Sequence, residues 1–142
     1  MQSNSPQVGV GLAVFIWRDG KFIMTRRKGS HASGTRSVPG GHIEFGESWA
    51  ETAAREANEE VGVTIKNVRY VATTNDIMPA DGKHYVSIWV EADWAGGEPQ
   101  VMEPDKLEQV EWRSFDDLPS PLFEPCWTNL RAARPDLFEK NL

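Results

Sequence analysis

Residues 41–63 read GHIEFGESWAETAAREANEEVGV, and within them Arg55, Glu56, Glu59 and Glu60 place three carboxylates and a guanidinium just ahead of Gly62. Ser48 and Glu51 have the Ser-x-x-Glu spacing of a capping box, and Gly62 stands where a left-handed C-terminal cap is wanted, so the spacing predicts a helix over 49–61. A helix turns by about 100° per residue, which puts Glu56 and Glu60 on one face and Glu59 further round. Ala50, Ala53, Ala54, Ala57 and Val61 form an apolar stripe suited to packing on a sheet, flanked by the two carboxylates. Arg55 can reach Glu51 and Glu59 across one turn. Carboxylates at such an edge are partly desolvated, so their like charge asks for a cation. All-oxygen donors favour a hard divalent ion, magnesium over zinc. The same spacing also fits a solvated helix face laced with ordinary ion pairs.

A longer pattern separates these two readings. Gly41, five residues, Glu47, seven residues, then Arg55-Glu56-x-x-Glu59-Glu60-x-Gly62-Val63 resembles the Nudix signature position for position. Ala57 departs from it, standing where a bulky aliphatic is usual. Outside this box, Val38 to Glu47, His84 to Ile88, Glu108 to Trp112 and Asp117-Leu118-Pro119 resemble the MutT-type nucleotide diphosphatases. They are most similar to the branch that hydrolyses oxidised or modified purine deoxynucleoside triphosphates. The likeness runs from about residue 8 to residue 138.

The rest of the chain is read as one domain, 1–142, with 1–7 as a flexible N-terminus. The one cysteine, Cys126, has no partner for an internal disulfide and reads as a small buried apolar residue. No segment approaches the length that spans a bilayer, and the first residues lack a leader pattern, so a cytoplasmic protein without a membrane partner is expected. A formal net charge of −6 argues against binding a nucleic acid polymer, which needs a basic footprint. Nucleotides remain open to it if metal ions neutralise both the acidic helix and the phosphates.

Residues 8–17 and 21–26 read as a hairpin about Arg18-Asp19-Gly20, and 28–37 as a loop. Strands follow at 67–77 and 84–94, separated by the turn-like Pro79-Ala80-Asp81-Gly82, and at 108–113. A second helix is expected over 121–133, ended by Pro135. Spacing alone gives an α+β class, and the resemblance implies the Nudix α/β/α sandwich with a mixed β-sheet.

The resemblance also implies roles. Glu56 and Glu60 are the main metal ligands, with Glu59 as a further ligand or the water-activating base and the Gly40 carbonyl completing the set. Arg55 orients Glu56, and Glu47 supports the loop. Glu59 and Glu108 stand as rival general bases. Mg²⁺ is the implied ion, with Mn²⁺ as a substitute. Pro39-Gly40-Gly41 is a loop able to bring its backbone against phosphate and metal. Arg27 falls where terminal phosphates are gripped, and His42 follows the glycines towards the substrate. Trp127 and Leu130 fall where the base pocket closes, with Ser37 and Ser87 near polar base contacts. Ser37-Val38 replaces an amide-bearing pair.

The expected reaction is Mg²⁺-dependent hydrolysis of a modified nucleoside triphosphate, such as 8-oxo-dGTP, to the monophosphate and pyrophosphate. ADP-ribose or another nucleoside diphosphate derivative is the alternative, since Pro79 lies one position beyond a proline that marks ADP-ribose hydrolases. A silent nucleotide sensor is disfavoured because all four box acids are present. A homodimer is expected only by analogy.

Overall fold

The computed structural model describes residues 7–29 and 31–139, so nearly all of the segment expected as a flexible N-terminus lies outside the described residues. Seven strands form one mixed sheet: β1 (Val8–Arg18), β2 (Lys21–Arg27), β3 (Arg36–Ser37), β4 (Gly40–His42), β5 (Thr64–Met78), β6 (Lys83–Gly96) and β7 (Leu107–Arg113). The main path runs β3-β2-β1-β6-β5, with β4 pairing β1 and β7 pairing β2. Among the described strands β1 and β6 are the pair that runs parallel, in register from Val8↔His84 to Trp17↔Asp93. A parallel pair needs a crossover, and the chain between these strands supplies it, including helix α1 (Trp49–Val61).

Alternation along β1 divides the core in two. Leu12, Val14 and Ile16 face α1 and meet Ala53, Ala57 and Val61 of the helix. Phe15 faces the other side, where Phe22, Met24 and Trp89 pack beneath Cys126, Trp127 and Leu130 of helix α2 (Cys126–Ala133). A helix covers each face of the mixed sheet, which is the expected α/β/α sandwich. Burying Val61 completely contributes about 1.5–3 kcal/mol.

Helix α1 has the expected bounds. Ser48 Oγ accepts the Glu51 N–H while Glu51 accepts the Ser48 N–H, and Gly62 caps the far end at φ 71°. The stripe is rotated from the one expected: Ala50 and Ala54 face solvent, and Thr52 and Glu56 join Ala53, Ala57 and Val61 on the buried side. Glu56 therefore lies in the packed face instead of beside it. The last turn is closed from a distance, since Gln100 and Met102 donate their backbone N–H groups to the carbonyls of Val61 and Glu60 at 3.0 Å each.

Two strand expectations and one helix expectation are corrected at their edges. Arg36 and Ser37, expected as loop, pair with β2. Strand β5 begins at Thr64 and crosses an irregularity at Asn67, whose φ of 57° interrupts the ladder without ending it. The second helix begins at Cys126 and not at 121. The backbone of 121–123 is committed elsewhere: Arg36 donates its N–H to the Pro121 carbonyl, and Phe123 donates to the Arg36 carbonyl. The residue before a proline also resists helical geometry, as Glu124 does ahead of Pro125.

Candidate active site

A cleft of about 740 Å³ opens between the acidic face of α1 and the strand ends of β1, β4 and β6. Its acidic end is built where the β4 loop descends onto the helix. A Cβ on Gly40 would collide with the Leu12 carbonyl oxygen, and one on Gly41 with the Glu56 carboxylate, so both positions require glycine for close approach. Glu60 accepts the Gly40 N–H at 3.0 Å.

Arg55 ties the helix to the loop. Its Nε and Nη2 donate to the two Glu47 oxygens at 2.8 and 3.0 Å, Nη1 donates to Glu56 at 2.7 Å, and Nη2 donates to the His42 carbonyl at 2.9 Å. A longer contact of 3.4 Å reaches the exposed Glu59. Glu51 is engaged with Ser48, so Arg55 turns to Glu47 instead. Glu47 also accepts the Glu44 N–H and the Thr52 hydroxyl, each at 2.9 Å. The fork–fork pair with Arg55 holds the Glu47 carboxyl down at about 2 and pushes the guanidinium up.

The two inward acids are shifted the other way. Glu56 is 9% exposed, and burial raises its pKa against the opposing pull of Arg55. Burial pushes Glu60 up to about 8, and the nearby Glu56 and Glu103 add to it. Desolvated carboxylates facing one cleft are in the state that a hard divalent cation relieves. No three Asp, Glu, His or Cys side chains among the described residues close on a common point. The donors available to an ion are carboxylate oxygens together with backbone carbonyls, an all-oxygen set that fits such a cation.

The inner end of the cleft is lined by Ser37, Ser87, Trp89, Phe123 and Cys126. Arg27 lies at the mouth with its guanidinium 4.5 Å over the Phe123 ring. Its Nε is buried without a hydrogen-bond partner, and it forms no ion pair among the described residues. Lys28, Lys83 and Lys106 continue this basic rim. His42 also lines the cleft and meets the Tyr85 hydroxyl at 3.2 Å.

Three expected site residues lie elsewhere. Glu108 points outward on β7, paired with Arg26 at 3.1 Å, and does not line the cleft. Trp127 is 1% exposed, with its ring edge-on to Phe15 and Trp89, and Leu130 is fully buried beside it. A side chain inside the core has no free face on which a base could stack. From the segment 121–133 Phe123 and Cys126 reach the wall instead, and Glu103 and Asp105 are acids from the far segment that do so. Phe123 lies between Pro121 and Pro125, a signal that the segment is extended there and not helical. Glu103 carries no comparable signal, because only the latch of Met102 onto α1 brings it in.

This fold, with the acidic helix beneath a double-glycine loop, defines the class of the protein. Residues 6–132 match the NUDIX domain model, and the chain belongs to that family. It is 34% identical over 114 residues to an NAD-capped RNA hydrolase NudC of Pseudomonas entomophila (strain L48), covering 80% of this chain and 39% of that protein. The chain thus spans about two fifths of the length of that relative. Among solved structures it resembles a MutT NUDIX hydrolase from Burkholderia pseudomallei, with a TM-score of 0.80 and 33% identity over 88% of this chain and 97% of that one. An ADP-ribose pyrophosphatase from Streptococcus suis shares the fold at a TM-score of 0.67 and 21% identity, over 96% of each chain. NUDIX hydrolases generally need divalent metal ions. Among the described residues no helix is long and apolar enough to cross a membrane.

Proposed function

We propose that this chain is a Mg²⁺-dependent pyrophosphohydrolase that converts a nucleoside triphosphate, in particular one with a modified purine, to the monophosphate and pyrophosphate. The observation that carries this reading is the pair of carboxylates, buried Glu56 and half-buried Glu60, set against Gly41 and Gly40 in a cleft that basic side chains also line. Family membership and the 33% identity to a MutT NUDIX hydrolase support it.

In this reading Glu56 and Glu60, with the Gly40 carbonyl, hold the ion, and Mn²⁺ substitutes for Mg²⁺. When bound, the ion neutralises phosphate oxygens and makes water more acidic. Arg55 fixes the Glu56 carboxylate and is itself fixed by Glu47, a positioning chain with two good hydrogen bonds at its base. Glu59 is exposed at the cleft edge and takes the proton from the attacking water. As the water oxygen bonds to phosphorus, the bridging P–O bond breaks and its electron pair leaves on the departing phosphate oxygen. Arg27, which has no carboxylate partner among the described residues, offers its guanidinium to the terminal phosphates. Ser37, Ser87 and Phe123 face the base.

A second reading, hydrolysis of a dinucleotide or ADP-ribose-like diphosphate, is favoured by the name of the Pseudomonas relative and by the length of the basic rim. Both are tested by incubating the protein with Mg²⁺ and a panel of canonical and oxidised nucleoside triphosphates, ADP-ribose and NAD, with products separated by chromatography. Pyrophosphate plus one monophosphate supports the first reading. Two monophosphates from NAD or ADP-ribose would replace it by the second, and no turnover of any compound would leave a nucleotide-sensing domain.

A further inference from the structure

Two serines on the inner wall are hydrogen-bonded from behind in opposite senses, one as donor and one as acceptor. A hydroxyl owns one proton and two lone pairs. Ser87 donates its proton to Asp76 Oδ2 at 2.5 Å. Asp76 is fully buried on β5 and does not line the cleft. The Thr74 hydroxyl donates to the same oxygen at 3.0 Å, and the Asn129 amide donates to Oδ1 at 2.9 Å. The Thr74 oxygen in turn accepts the Trp89 indole N–H at 2.9 Å. The Cys126 thiol is a further neighbour hydrogen-bonded to Asp76, with burial and that charge pushing its pKa up. Asp76 is the acceptor in each of these hydrogen bonds. The Ser87 proton is therefore spent, and lone pairs are what Ser87 shows the cleft.

Ser37 has the reverse arrangement. Its oxygen accepts the Trp127 indole N–H at 3.1 Å, and its own proton has no acceptor among the described residues. Both settings trace back to helix α2, which supplies Trp127 and Asn129 without either side chain lining the cleft.

We propose that Asp76 is a positioning residue that fixes the polarity of Ser87, so that the inner wall selects a nucleobase presenting an N–H to Ser87, while Ser37 keeps a proton to offer a carbonyl or ring nitrogen. The inference rests on the nucleotide reading above and goes beyond it by naming what the wall discriminates. A base that turns an acceptor to Ser87 leaves two lone-pair groups facing each other without a proton. Such a mismatch in a desolvated wall weakens binding by about tenfold to a hundredfold.

The test is isothermal titration of the full chain, in Mg²⁺, with deoxynucleoside monophosphates in pairs that differ by one N–H or amino group. The pairs are dGMP against dIMP, 8-oxo-dGMP against dGMP, and dAMP against the purine deoxynucleotide. In at least one pair the N–H-bearing member binds about tenfold or more tightly. That ratio falls to within about threefold in Ser87→Ala, because the lone-pair acceptor is gone. Asp76→Asn, whose amide can donate to Ser87 and release its proton, also collapses or inverts the ratio. A purely structural role for Asp76 would weaken both members alike and leave the ratio standing. If Asp76→Asn does not fold by circular dichroism, Ser87→Ala decides alone. Ratios near one throughout in the wild type, or ratios that survive in Ser87→Ala, overturn the inference while leaving the nucleotide reading intact. Absence of binding by every nucleotide overturns both.

Discussion

Glu60→Gln is the substitution with the sharpest consequences, because activity and stability should move in opposite directions. The carboxyl titrates at about 8 in the metal-free fold against 4.5 in the unfolded chain, chiefly through burial. A carboxyl raised on folding binds its proton more tightly in the native state, so stability falls as pH rises from about 4.5 through about 8. At pH 7 the unfolded chain is ionised there and the folded one is protonated. That gap of about 2.5 pH units is worth roughly 3 kcal/mol. Gln keeps an oxygen for the Gly40 N–H and removes the charge, so the metal-free variant should be more stable at pH 7 by up to about 3 kcal/mol. At about 2–4 °C per kcal/mol this is a rise in Tm on the order of 10 °C. The assay is urea unfolding in EDTA at several pH values between about 4 and 8, followed by tryptophan fluorescence. The difference between the two proteins is the informative quantity, because His31, whose pKa burial lowers, titrates in the same window with the opposite sign. The curves should converge below about pH 4.5 and separate above it. Added Mg²⁺ should stabilise the wild type and not the variant, and turnover should drop by orders of magnitude. A variant that is no more stable than wild type at pH 7 without metal would refute the reasoning that Glu60 is held under electrostatic strain.

Glu47→Gln should flatten the acid limb of the stability curve: its carboxyl is held at about 2, so its contribution is present above about 4.5 and lost as pH falls towards 2, which acid titration of ellipticity will show. Trp127→Ala should cost about 3–5 kcal/mol in urea unfolding, because it empties a fully packed site between Phe15 and Trp89. Glu108→Ala removes an exposed ion pair with Arg26 and should change stability by less than about 1 kcal/mol and kcat/KM by less than about twofold. A large loss of kcat in that variant would return Glu108 to the chemistry.

The bounds of the helix carrying the acids are legible in sequence because their determinants are local: Ser48, Glu51 and Gly62 each act within one turn of themselves. The strands around it are legible from their alternation, apart from ends such as Thr64 that a bulge conceals. Trp127 was open to misreading because, although Pro121 and Pro125 speak against a helix start at 121, nothing within the segment says that 121–123 will bond to Arg36. Which side of a short helix meets the sheet depends on where that helix begins. Asp76 shows the same limit more strongly. Its neighbours in sequence, Asn75 and Ile77, say nothing of Ser87 and Asn129, which reach it only after the sheet and α2 have assembled.

The backbone latch from Gln100 and Met102 onto the last turn of α1 bears on the order of events during synthesis. Gly62 caps its own helix as soon as it is made, but the carbonyls of Glu60 and Val61 wait for partners some forty residues downstream. A chain still growing on the ribosome therefore carries the acidic helix, its arginine and the double-glycine loop long before that helix end is closed. Closure of this helix end is thus a late event, a contact of long sequence separation that cannot form before residues 100–102 exist.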